Sequence, residues 1–583
     1  MDQTEPRIIT ITIDGRPIEA TEGKTILEIA AEAGMEIPSL CQHPDLSVRA
    51  NCRMCMVEVK GDSSNVKTLM PACATKAKEG MSIETSGERV KRLRKINLEL
   101  LMSQHREECD DCVWFLDCRL LKYVREYGAK IDRYADRKKK FPIYKFGPIE
   151  FDQTKCIDCR NCVEMCARQQ ANFLEIKNRG AETEIEPSKD EKKDCIYCGQ
   201  CIVHCPAGAI ESDGEFEEIE KPLKESGKML VVQFAPSIRA SIGETAGMPP
   251  GSNVYGQLVA GLRKLGFDKV FDVSTAADFT TIEEAEELIE RIKEKKGLPM
   301  FTSCCPAWVK YIEFYRPDLI PNLTTVKSPQ NILGSLVKTY WAKTQKIDPE
   351  KIVVVSIMPC TAKKYEIEKK EAWVNGLKPI DYVLTTRELG RLFRKRKIDL
   401  KTLAPENADN PLGIHSGAAV IYGATGGVME SAIRTAYWKL TGKNMEKLEC
   451  RVVRGIAGFK KAEVKIGDLT LKAAVANGMD SAKLVLDELA RDPAAYDYIE
   501  IMACPGGCIG GGGQPLPVDD EIRKKRAQAL YEIDCKKEVR VAHENKQVLA
   551  IYDEFFASDK DKIHGVMHSH YEKKPKGRII KIN

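Results

Sequence analysis

Apolar and polar residues alternate along the chain with two different periods. Near the N-terminus, alternating β-branched residues at 8–13 precede an amphipathic stretch at 25–33, which predicts a strand followed by a helix. Beyond residue 226, short apolar runs alternate with helical periods, and this order predicts an α/β domain with parallel sheets. Its predicted strands are 229–234, 270–273, 300–302, 352–358, 382–385, 452–455 and 498–502. Its predicted helices include 256–265, 282–293 and 425–440.

Cysteine is distributed very unevenly. The 583 residues include 22 cysteines, and fifteen of these precede residue 206. Because reducing compartments keep thiols free, so many cysteines favour metal binding over disulfides. Twenty of them form five packets: Cys41, Cys52, Cys55 and Cys73; Cys109, Cys112 and Cys118; Cys156, Cys159, Cys162 and Cys166; Cys195, Cys198, Cys201 and Cys205; and Cys304, Cys305, Cys360, Cys504 and Cys508.

Length, charge and hydropathy exclude several classes of protein. The chain is long enough for roughly three to five domains. Its 90 Lys and Arg nearly balance 86 Asp and Glu, so it lacks the electrostatic footprint of a nucleic-acid-binding protein. No apolar run approaches the ~18 residues of a membrane span, and the N-terminus lacks the pattern of a secretion signal. We therefore expect a cytoplasmic protein with no membrane span and no nucleic-acid partner.

The third and fourth packets share the spacing C-x2-C-x2-C-x3-C. In two-cluster ferredoxins, three closely spaced cysteines bind one 4Fe–4S cluster and the fourth binds the other. The rule assigns Cys156, Cys159, Cys162 and Cys205 to one cluster, and Cys195, Cys198, Cys201 and Cys166 to the other. Two tetrahedral zinc sites are the alternative, and the repetition of the full four-cysteine spacing disfavours it.

The first two packets predict two further clusters. The spacing C-x10-C-x2-C-x17-C, after a strand and a helix, resembles a β-grasp ferredoxin and indicates a 2Fe–2S cluster, although plant-type ferredoxins space their cysteines differently. The second packet has three cysteines, whereas a 4Fe–4S cluster needs four ligands. His105, four residues before Cys109, is the predicted fourth ligand. The alternative is an ordinary surface histidine on a predicted helix at 91–105.

Three loops place the last packet at predicted strand ends. Cys304 and Cys305 follow 300–302, Cys360 follows 352–358, and Cys504 follows 498–502. Because ligands bind beyond the carboxyl ends of parallel strands, these cysteines should meet around one more 4Fe–4S cluster. The loop sequences FTSCCPAWV at 301–309, IMPCTAKKYE at 357–366 and EIMACPGGCIGGGGQP at 500–515 closely resemble the signature loops of FeFe-hydrogenases. The resemblance extends to all four front packets.

The resemblance implies an H-cluster, a 4Fe–4S cube joined to a two-iron unit that carries CO, cyanide and a dithiolate. Cys305, Cys360, Cys504 and Cys508 would hold the cube, and Cys508 would also bridge to the two-iron unit. Lys363 would hydrogen-bond a cyanide. Further residues would line the pocket: Ala235, Pro236, Ser237, Gln330, Met358 and Met502. Tyr422 stands where the family usually has Phe, and its hydroxyl needs a partner.

A proton relay is also implied by the resemblance. Cys304 would be the proton donor, followed by Glu284, Thr324, Glu287 and Arg291. The two glutamates and the arginine lie at i, i+3 and i+7, so they share one helix face. A solvated, charged helix face is the alternative. Thr324 stands where the family often has Ser, which preserves the hydroxyl.

The resemblance further implies a modular α/β protein of four domains. These are a 2Fe–2S β-grasp domain at 1–80, a His/Cys3 4Fe–4S domain at 81–145, a two-cluster ferredoxin-like domain at 146–215 and a two-lobed catalytic domain at 216–583. Its activity would be the reversible reaction 2H⁺ + 2e⁻ ⇌ H₂, with electrons passing through one 2Fe–2S and three accessory 4Fe–4S clusters.

Partner subunits are expected for this chain. Its third loop, with Pro505 and glycines at 510–513, resembles the catalytic subunits of NAD(P)-linked or electron-bifurcating hydrogenases. No G-x-G-x-x-G lies in a strand–turn–helix context, so flavin and NAD(P) should be carried by partners. Small iron–sulfur subunits, ferredoxin and maturation enzymes are the other expected partners. A stand-alone ferredoxin-dependent hydrogenase and an H₂ sensor are the alternatives.

Three histidines near the C-terminus, His564, His568 and His570, resemble a small metal site. A docking segment is the favoured interpretation of this tail.

Overall fold

The computed structural model describes residues 7–60, 66–115, 117–130, 133–134, 141–214, 218–219, 227–557 and 559–582. These residues form five sheets. The strands are β1 Ile8–Ile13, β2 Arg16–Thr21, β3 Met56–Lys60, β4 Thr68–Pro71, β5 Ser82–Glu84, β6 Ile143–Phe146, β7 Ile149–Asp152, β8 Leu174–Lys177, β9 Glu184–Pro187, β10 Ile210–Ser212, β11 Met229–Phe234, β12 Lys269–Asp272, β13 Met300–Phe301, β14 Ile352–Met358, β15 Tyr382–Thr385, β16 Phe459–Ile466, β17 Leu469–Asn477, β18 Tyr498–Met502 and β19 Ile579–Ile582.

The α-helices alternate with these strands along the chain. Those of the cysteine-rich front are Ile26–Glu32, Glu88–Met102, Arg119–Tyr127, Asn161–Arg168 and Gln200–Val203. Those of the back domain are Tyr255–Lys264, Ser274–Glu294, Pro306–Tyr315, Pro329–Leu336, Ala342–Gln345, Ala362–Glu366, Thr386–Lys395, Gly417–Val420, Gly427–Thr441, Met479–Arg491, Asp520–Lys536, Lys546–Ile551 and Lys560–Met567. None of the described helices is long and apolar enough to cross a bilayer.

The N-terminal sheet has the strand order β2-β1-β5-β3-β4. Asp14 and Gly15 join β1 to β2 with positive φ angles of 45° and 79°, as a two-residue type I′ hairpin turn requires. The alternation at 8–13 buries the three isoleucines of β1 that face the core, Ile9, Ile11 and Ile13. The predicted strand and helix at this end are therefore confirmed.

The two-cluster region combines strand pairs with two short, similar helices. Arg160 and Gly199, at equivalent positions before those helices, both adopt left-handed φ angles, of 66° and 68°. The sheet β10-β7-β6-β19 includes the last strand of the chain, whose residue Ile580 lies opposite Lys145 of β6. The C-terminus thus returns to the front of the molecule. The limits of the four domains stay predictions, and the limit at 215–216 falls outside the described residues.

The back domain has two lobes, each built on a four-stranded sheet. One sheet, β12-β11-β14-β15, is entirely parallel, and the other, β13-β18-β17-β16, is parallel except for the β16–β17 hairpin. The predicted α/β class with parallel sheets is confirmed. The long helix Ser274–Glu294 is buried along most of its length, from Ser274 to Ile289, and packs against the helices Gly427–Thr441 and Pro329–Leu336.

The predicted strand at 452–455 is wrong. This segment is a turn in which Val453 and Gly455 each direct a carbonyl to Lys460 Nζ, at 2.6 and 2.7 Å. The β16–β17 hairpin was missed, although the alternation of buried and exposed residues in β16 carries a strand signal. The exposed positions of β16 are mostly charged, so the sequence of this segment resembles that of a loop.

Candidate active site

A cavity opens where strands of both back-domain sheets end. The segments that follow β11, β13, β14 and β18 converge there, as the sequence predicts for parallel strands. The cavity wall includes five cysteines and the residues that the family resemblance placed in the pocket: Cys304, Cys305, Cys360, Cys504, Cys508, Lys363, Ala235, Pro236, Ser237, Gln330, Met358 and Met502. The structure therefore brings all of these residues together.

The chemistry of the wall suits a large, strongly electrophilic group. Burial raises the pKa of the Cys508 thiol to about 12 and raises those of Cys360 and Cys504 further, so a proton or a metal must neutralise each sulfur. Ser237 Oγ and Gln330 Oε1 are buried and have no hydrogen-bond partner among the described residues. They offer a donor and an acceptor to a polar ligand in the cavity. The donor set therefore fits an iron–sulfur group.

Two glycines of the third loop allow close backbone contacts. A Cβ at Gly511 would lie 2.2 Å from the Pro359 carbonyl oxygen, and one at Gly512 would lie 2.3 Å from that of Cys198. Only glycine fits such spaces. The contacts hold the loop that carries Cys504 and Cys508 against the second signature loop and against the two-cluster region.

Lys363 lies at the edge of the cavity in a buried polar group. Its Nζ lies 2.8 Å from Glu366 Oε2, which also accepts a hydrogen bond from Gln330 Nε2 at 3.0 Å. Tyr422 also lines the cavity, and its hydroxyl lies 2.9 Å from Thr281 Oγ1. The partner that this additional hydroxyl needs is therefore a threonine of the long helix.

Part of the predicted proton relay is directly hydrogen-bonded. Thr324 Oγ1 donates to Glu287 Oε2 at 2.6 Å, and Arg291 Nη2 donates to Glu287 Oε1 at the same distance. Glu284 is buried and accepts a hydrogen bond from the Tyr498 hydroxyl at 2.8 Å. Burial raises the pKa of this carboxyl to about 8. Sequence reasoning missed Tyr498, whose only signal was its place at the start of a predicted strand.

The two ferredoxin-type cysteine sets enclose separate small cavities. One is lined by Cys156, Cys159, Cys162 and Cys205, and the other by Cys166, Cys195, Cys198 and Cys201. Each cavity thus combines three closely spaced cysteines with the fourth cysteine of the other packet, as the crossing rule requires. The grouping is that of two iron–sulfur cubes.

The cysteines of the first packet lie in two pairs. The Cys41 thiol interacts with that of Cys52, whose backbone N–H lies 3.5 Å from Cys41 Sγ, and the Cys55 thiol interacts with that of Cys73. All four are buried beside the N-terminal sheet. Two close pairs match the two iron ends of a 2Fe–2S cluster.

His105 lies beyond the end of the helix, whereas the alternative interpretation placed it on the surface of that helix. The helix ends at Met102, and His105 is 9% exposed with its Nδ1 2.8 Å from the Lys155 carbonyl oxygen. A hydrogen bond from Nδ1–H to this carbonyl sets the tautomer of the ring, in which Nε2 is the nitrogen that would bind a metal. A hydrogen bond from one ring nitrogen to a backbone carbonyl is typical of a metal-binding histidine. Cys109 is exposed, whereas Cys112 and Cys118 are half-buried.

A buried polar junction joins the three parts of the molecule and was missed from the sequence. Asp45, beside the 2Fe–2S ligands, forms an ion pair with Arg523 of the helix Asp520–Lys536. Its Oδ2 also lies 3.1 Å from Nε2 of His204, the neighbour of Cys205. His43, Asp45 and His204 lie close enough together to hold a metal ion, but the Arg523 guanidinium already neutralises the carboxylate. The junction is structural.

Comparison with known proteins agrees with this geometry. Residues 228–512 match the family "Iron only hydrogenase large subunit, C-terminal domain", and 520–574 match "Iron hydrogenase small subunit". Residues 7–88 match the "2Fe-2S iron-sulfur cluster binding domain", and 155–213 match the "4Fe-4S dicluster domain". The first, third and fourth cysteine packets and the cysteines of the cavity therefore each lie in a matched region.

Similar proteins cover nearly the whole chain. The NADP-reducing hydrogenase subunit HndD of Solidesulfovibrio fructosivorans is 41% identical over 97% of this chain and 99% of its own length. Iron hydrogenase 1 of Clostridium pasteurianum is 37% identical over 97% of this chain and 100% of its own length. The solved structure of a variant of the [FeFe]-hydrogenase HydA1 from Chlamydomonas reinhardtii aligns with a TM-score of 0.56 at 39% identity, covering 62% of this chain and 99% of that one.

The fold, the cavity and these matches define an iron-dependent oxidoreductase of hydrogen. The chain belongs to the FeFe-hydrogenase family, and it carries 2Fe–2S and 4Fe–4S accessory domains. Its reaction is 2H⁺ + 2e⁻ ⇌ H₂ at an H-cluster. The match at 520–574 also places a small-subunit sequence within this same chain.

Proposed function

We propose that Cys305, Cys360, Cys504 and Cys508 are the residues that would hold the H-cluster. The observation that carries this proposal is the single cavity lined by cysteines from three separate strand ends. When bound, the cluster supplies the metal centre at which protons and electrons combine. Ser237 and Gln330 direct otherwise unpaired polar atoms toward it, and Lys363 contributes a buried cation held by Glu366.

Protons reach the cavity through the chain's own acidic and hydroxyl groups. We assign Cys304 the role of proton carrier at the wall, because its thiol lines the cavity next to ligand Cys305. Glu284 is suited to exchange protons with it, since a carboxyl with a pKa near 8 can gain or lose a proton close to neutral pH. Thr324 and Glu287 continue the path toward the surface.

Arg291 has a different part in this path. A guanidinium stays protonated in proteins and has no acceptor, so it cannot pass a proton on. Its Nε and Nη2 donate to Glu287 Oε1, at 2.9 and 2.6 Å, and its Nη1 binds the Gly297 carbonyl at 2.8 Å. Arg291 therefore fixes the orientation of Glu287 and leaves the other carboxylate oxygen for proton exchange.

Electrons enter through the accessory clusters. The cluster predicted at Cys166, Cys195, Cys198 and Cys201 is the last before the cavity, because the Cys198 carbonyl contacts Gly512 and lies 3.9 Å from Cys504 Sγ. The other cube, the predicted His105 cluster and the 2Fe–2S cluster lie further toward the front. His105, Cys109, Cys112 and Cys118 are assigned to one cube.

The chain acts as the catalytic subunit of a larger, NADP-linked complex in this proposal. Similarity to an NADP-reducing hydrogenase subunit over almost all of both chains supports it. Flavin and NAD(P) then belong to partner subunits, with ferredoxin as a further electron carrier and the maturation enzymes as suppliers of the two-iron unit. A cytoplasmic location accords with these partners and stays a prediction.

Maturation tests the cluster assignment. Protein produced together with FeFe-hydrogenase maturation enzymes should show infrared bands of iron-bound CO and cyanide and should evolve hydrogen from reduced viologen. Protein produced without them should hold accessory clusters but evolve no hydrogen. Cys305→Ser should lose the bands, whereas Cys450→Ser, a half-buried cysteine outside the cavity, should keep them. Bands that survive in Cys305→Ser would overturn the ligand assignment.

Purification from the native source tests the complex. The chain should co-purify with flavin-containing subunits and should not oxidise NADPH by itself. Isolation of the chain alone, or direct electron exchange with NADH or NADPH, would instead support a stand-alone enzyme.

A further inference from the structure

The C-terminal segment brings a histidine to the outer end of the predicted proton path. Residues 567–569 run antiparallel to 325–327: Lys327 N–H donates to the Met567 carbonyl at 2.7 Å, and Ser569 N–H donates to that of Thr325 at 2.8 Å. This pairing places the His568 ring beside the Thr325 side chain. The contact joins the small-subunit-like segment, which contains His568, to the large-subunit domain, which contains Thr325.

An unbroken hydrogen-bonded chain runs from Glu287 to this histidine. Thr325 Oγ1 lies 3.1 Å from Glu287 Oε2 and 2.8 Å from His568 Nδ1. On the other side of the ring, His568 Nε2 lies 3.1 Å from Glu283 Oε2. Glu283 is fixed in turn by the Tyr552 hydroxyl, which donates to its Oε1 at 2.5 Å. Every ring nitrogen and every oxygen in this chain therefore has a partner.

We infer that His568 is a second outlet of the proton path, which exchanges protons with Glu287 through the Thr325 hydroxyl. This inference rests on the proposed hydrogenase relay and adds a branch to it. The branch leaves from Glu287 Oε2, the oxygen that Arg291 does not occupy. Arg291 cannot be the carrier that follows Glu287, because a permanently protonated guanidinium cannot pass a proton on. The branch to His568 supplies such a carrier.

One proton can move from Glu287 to His568 through the Thr325 hydroxyl alone. In the first state, protonated Glu287 donates to Thr325 Oγ1, the Thr325 hydroxyl donates to His568 Nδ1, and His568 Nε2–H donates to Glu283. The Glu287 O–H bond then breaks as a new Thr325 O–H bond forms, and the original Thr325 O–H bond breaks as Nδ1–H forms. In the second state, Glu287 is a carboxylate and His568 is an imidazolium. No proton is left over, and the Nε2–H···Glu283 hydrogen bond is the same in both states.

The surroundings of His568 place a carboxyl group on each side of the ring and leave the ring partly open to water. Glu283 and Glu287, both on the long helix, flank the ring: Glu283 contacts Nε2 directly, and Glu287 reaches Nδ1 through the Thr325 hydroxyl. His564 stacks on His568 with ring centroids 5.1 Å apart and is exposed, and the His568 side chain is itself 13% exposed. Lys327 Nζ, which binds the Gly565 carbonyl, is the nearby opposing cation. A proton on His568 can thus pass to solvent without crossing the cavity.

Nitrogen NMR on protein without the two-iron unit tests the coupling apart from turnover. Among eight histidines, His568→Gln identifies the signals of His568. Glu287→Gln and Thr325→Val should each move those signals, because they cut the same hydrogen-bonded chain. Glu286→Gln is the matched control, since Glu286 is next to Glu287 but pairs with Lys439 on the surface. If the nitrogen chemical shifts of His568 change in neither Glu287→Gln nor Thr325→Val, the inference is wrong.

Turnover of the matured protein provides the second test. His568→Gln should lower kcat a few-fold to about tenfold, less than the ~100-fold or more that loss of a sole proton carrier costs, because Glu287 is still 12% exposed and can meet water directly. The KM for the electron donor and the infrared bands should not change. Added imidazole should restore His568→Ala, and His570→Gln, an exposed neighbour, should behave as the parent.

The outcomes separate this inference from the proposed function. Parental turnover in His568→Ala at every pH, or a deficit that imidazole does not restore, would show that His568 is not a proton outlet. A parent protein without infrared bands or hydrogen evolution would instead refute the H-cluster assignment and leave the NMR result as the test of the hydrogen-bonded chain.

Discussion

Replacement of Tyr498 by phenylalanine tests the proton chemistry of the buried carboxyl Glu284. The Tyr498 hydroxyl donates to Glu284 Oε1 at 2.8 Å, and both side chains are shielded from water. Phenylalanine keeps the ring and its packing, so the change removes only the donor. Because this donor stabilises the ionised carboxylate, its loss raises the pKa of Glu284.

The size of the shift follows from the strength of the lost hydrogen bond. A hydrogen bond to a charged group contributes roughly 1.5–3 kcal/mol, and one pKa unit corresponds to about 1.4 kcal/mol. The pKa of Glu284, about 8 in the parent, should therefore rise by about one to two units in Tyr498→Phe. Hydrogen evolution needs the protonated carboxyl as a donor, so the alkaline limb of its pH–rate profile should move up by the same amount.

Two measurements check this shift. One is hydrogen evolution from a reduced viologen on both sides of pH 8, and the other is the pH at which the infrared carbonyl band of the protonated Glu284 disappears. Tyr496→Phe is the matched control, because the Tyr496 hydroxyl binds Glu488 away from the cavity. An alkaline limb that stays in place or moves down in Tyr498→Phe would refute the assignment of Glu284 to the relay.

Three further substitutions test the other assignments. Cys304→Ser should keep the CO and cyanide bands but lose nearly all turnover, because a serine hydroxyl is too weak an acid to carry protons near neutral pH; turnover at the parental rate would contradict this. His105→Ala should lose iron and the EPR signal of one accessory cluster, whereas His105→Cys should keep a cube with a changed potential; an unaltered spectrum in His105→Ala would exclude ligation. Gly512→Ala places a Cβ 2.3 Å from the Cys198 carbonyl oxygen, so it should destabilise the domain contact by about 1–3 kcal/mol, as followed by thermal inactivation. It should also slow reduction of the active site, as followed by rapid-mixing kinetics. Gly565→Ala, whose Cβ meets nothing within 4 Å, is its control, and equal behaviour of the two variants would show that the contact is not needed.

The chemistry of the cofactors could be predicted from the chain because it depends on local spacing. A cysteine's place in C-x2-C-x2-C-x3-C decides which iron it can reach, and the two small cavities group the eight cysteines as that rule predicts. The convergence of Cys305, Cys360 and Cys504 was also predictable, since they follow parallel strands and such strands end at one edge. The strand at 452–455 was predicted wrongly because this segment is a turn, in which Val453 is buried but Val452 is 59% exposed.

Partners that lie far apart along the chain could be found only in the tertiary structure. The Glu284–Tyr498 hydrogen bond spans 214 residues, and the Asp45–Arg523 ion pair spans 478. No periodicity connects such residues, because their contact depends on how separately formed elements pack.

The role of the C-terminal histidines also depends on how separately formed elements pack. The sequence by itself determined that three histidines lie near the C-terminus, but a histidine's role depends on what faces its two nitrogens. Only the return of the chain beside residues 325–327 decided that Thr325 faces one nitrogen of His568 and Glu283 the other. The spacing of metal ligands is a local property that can be read from the sequence. Hydrogen-bonded paths for protons depend on tertiary packing, because their members come from distant parts of the chain.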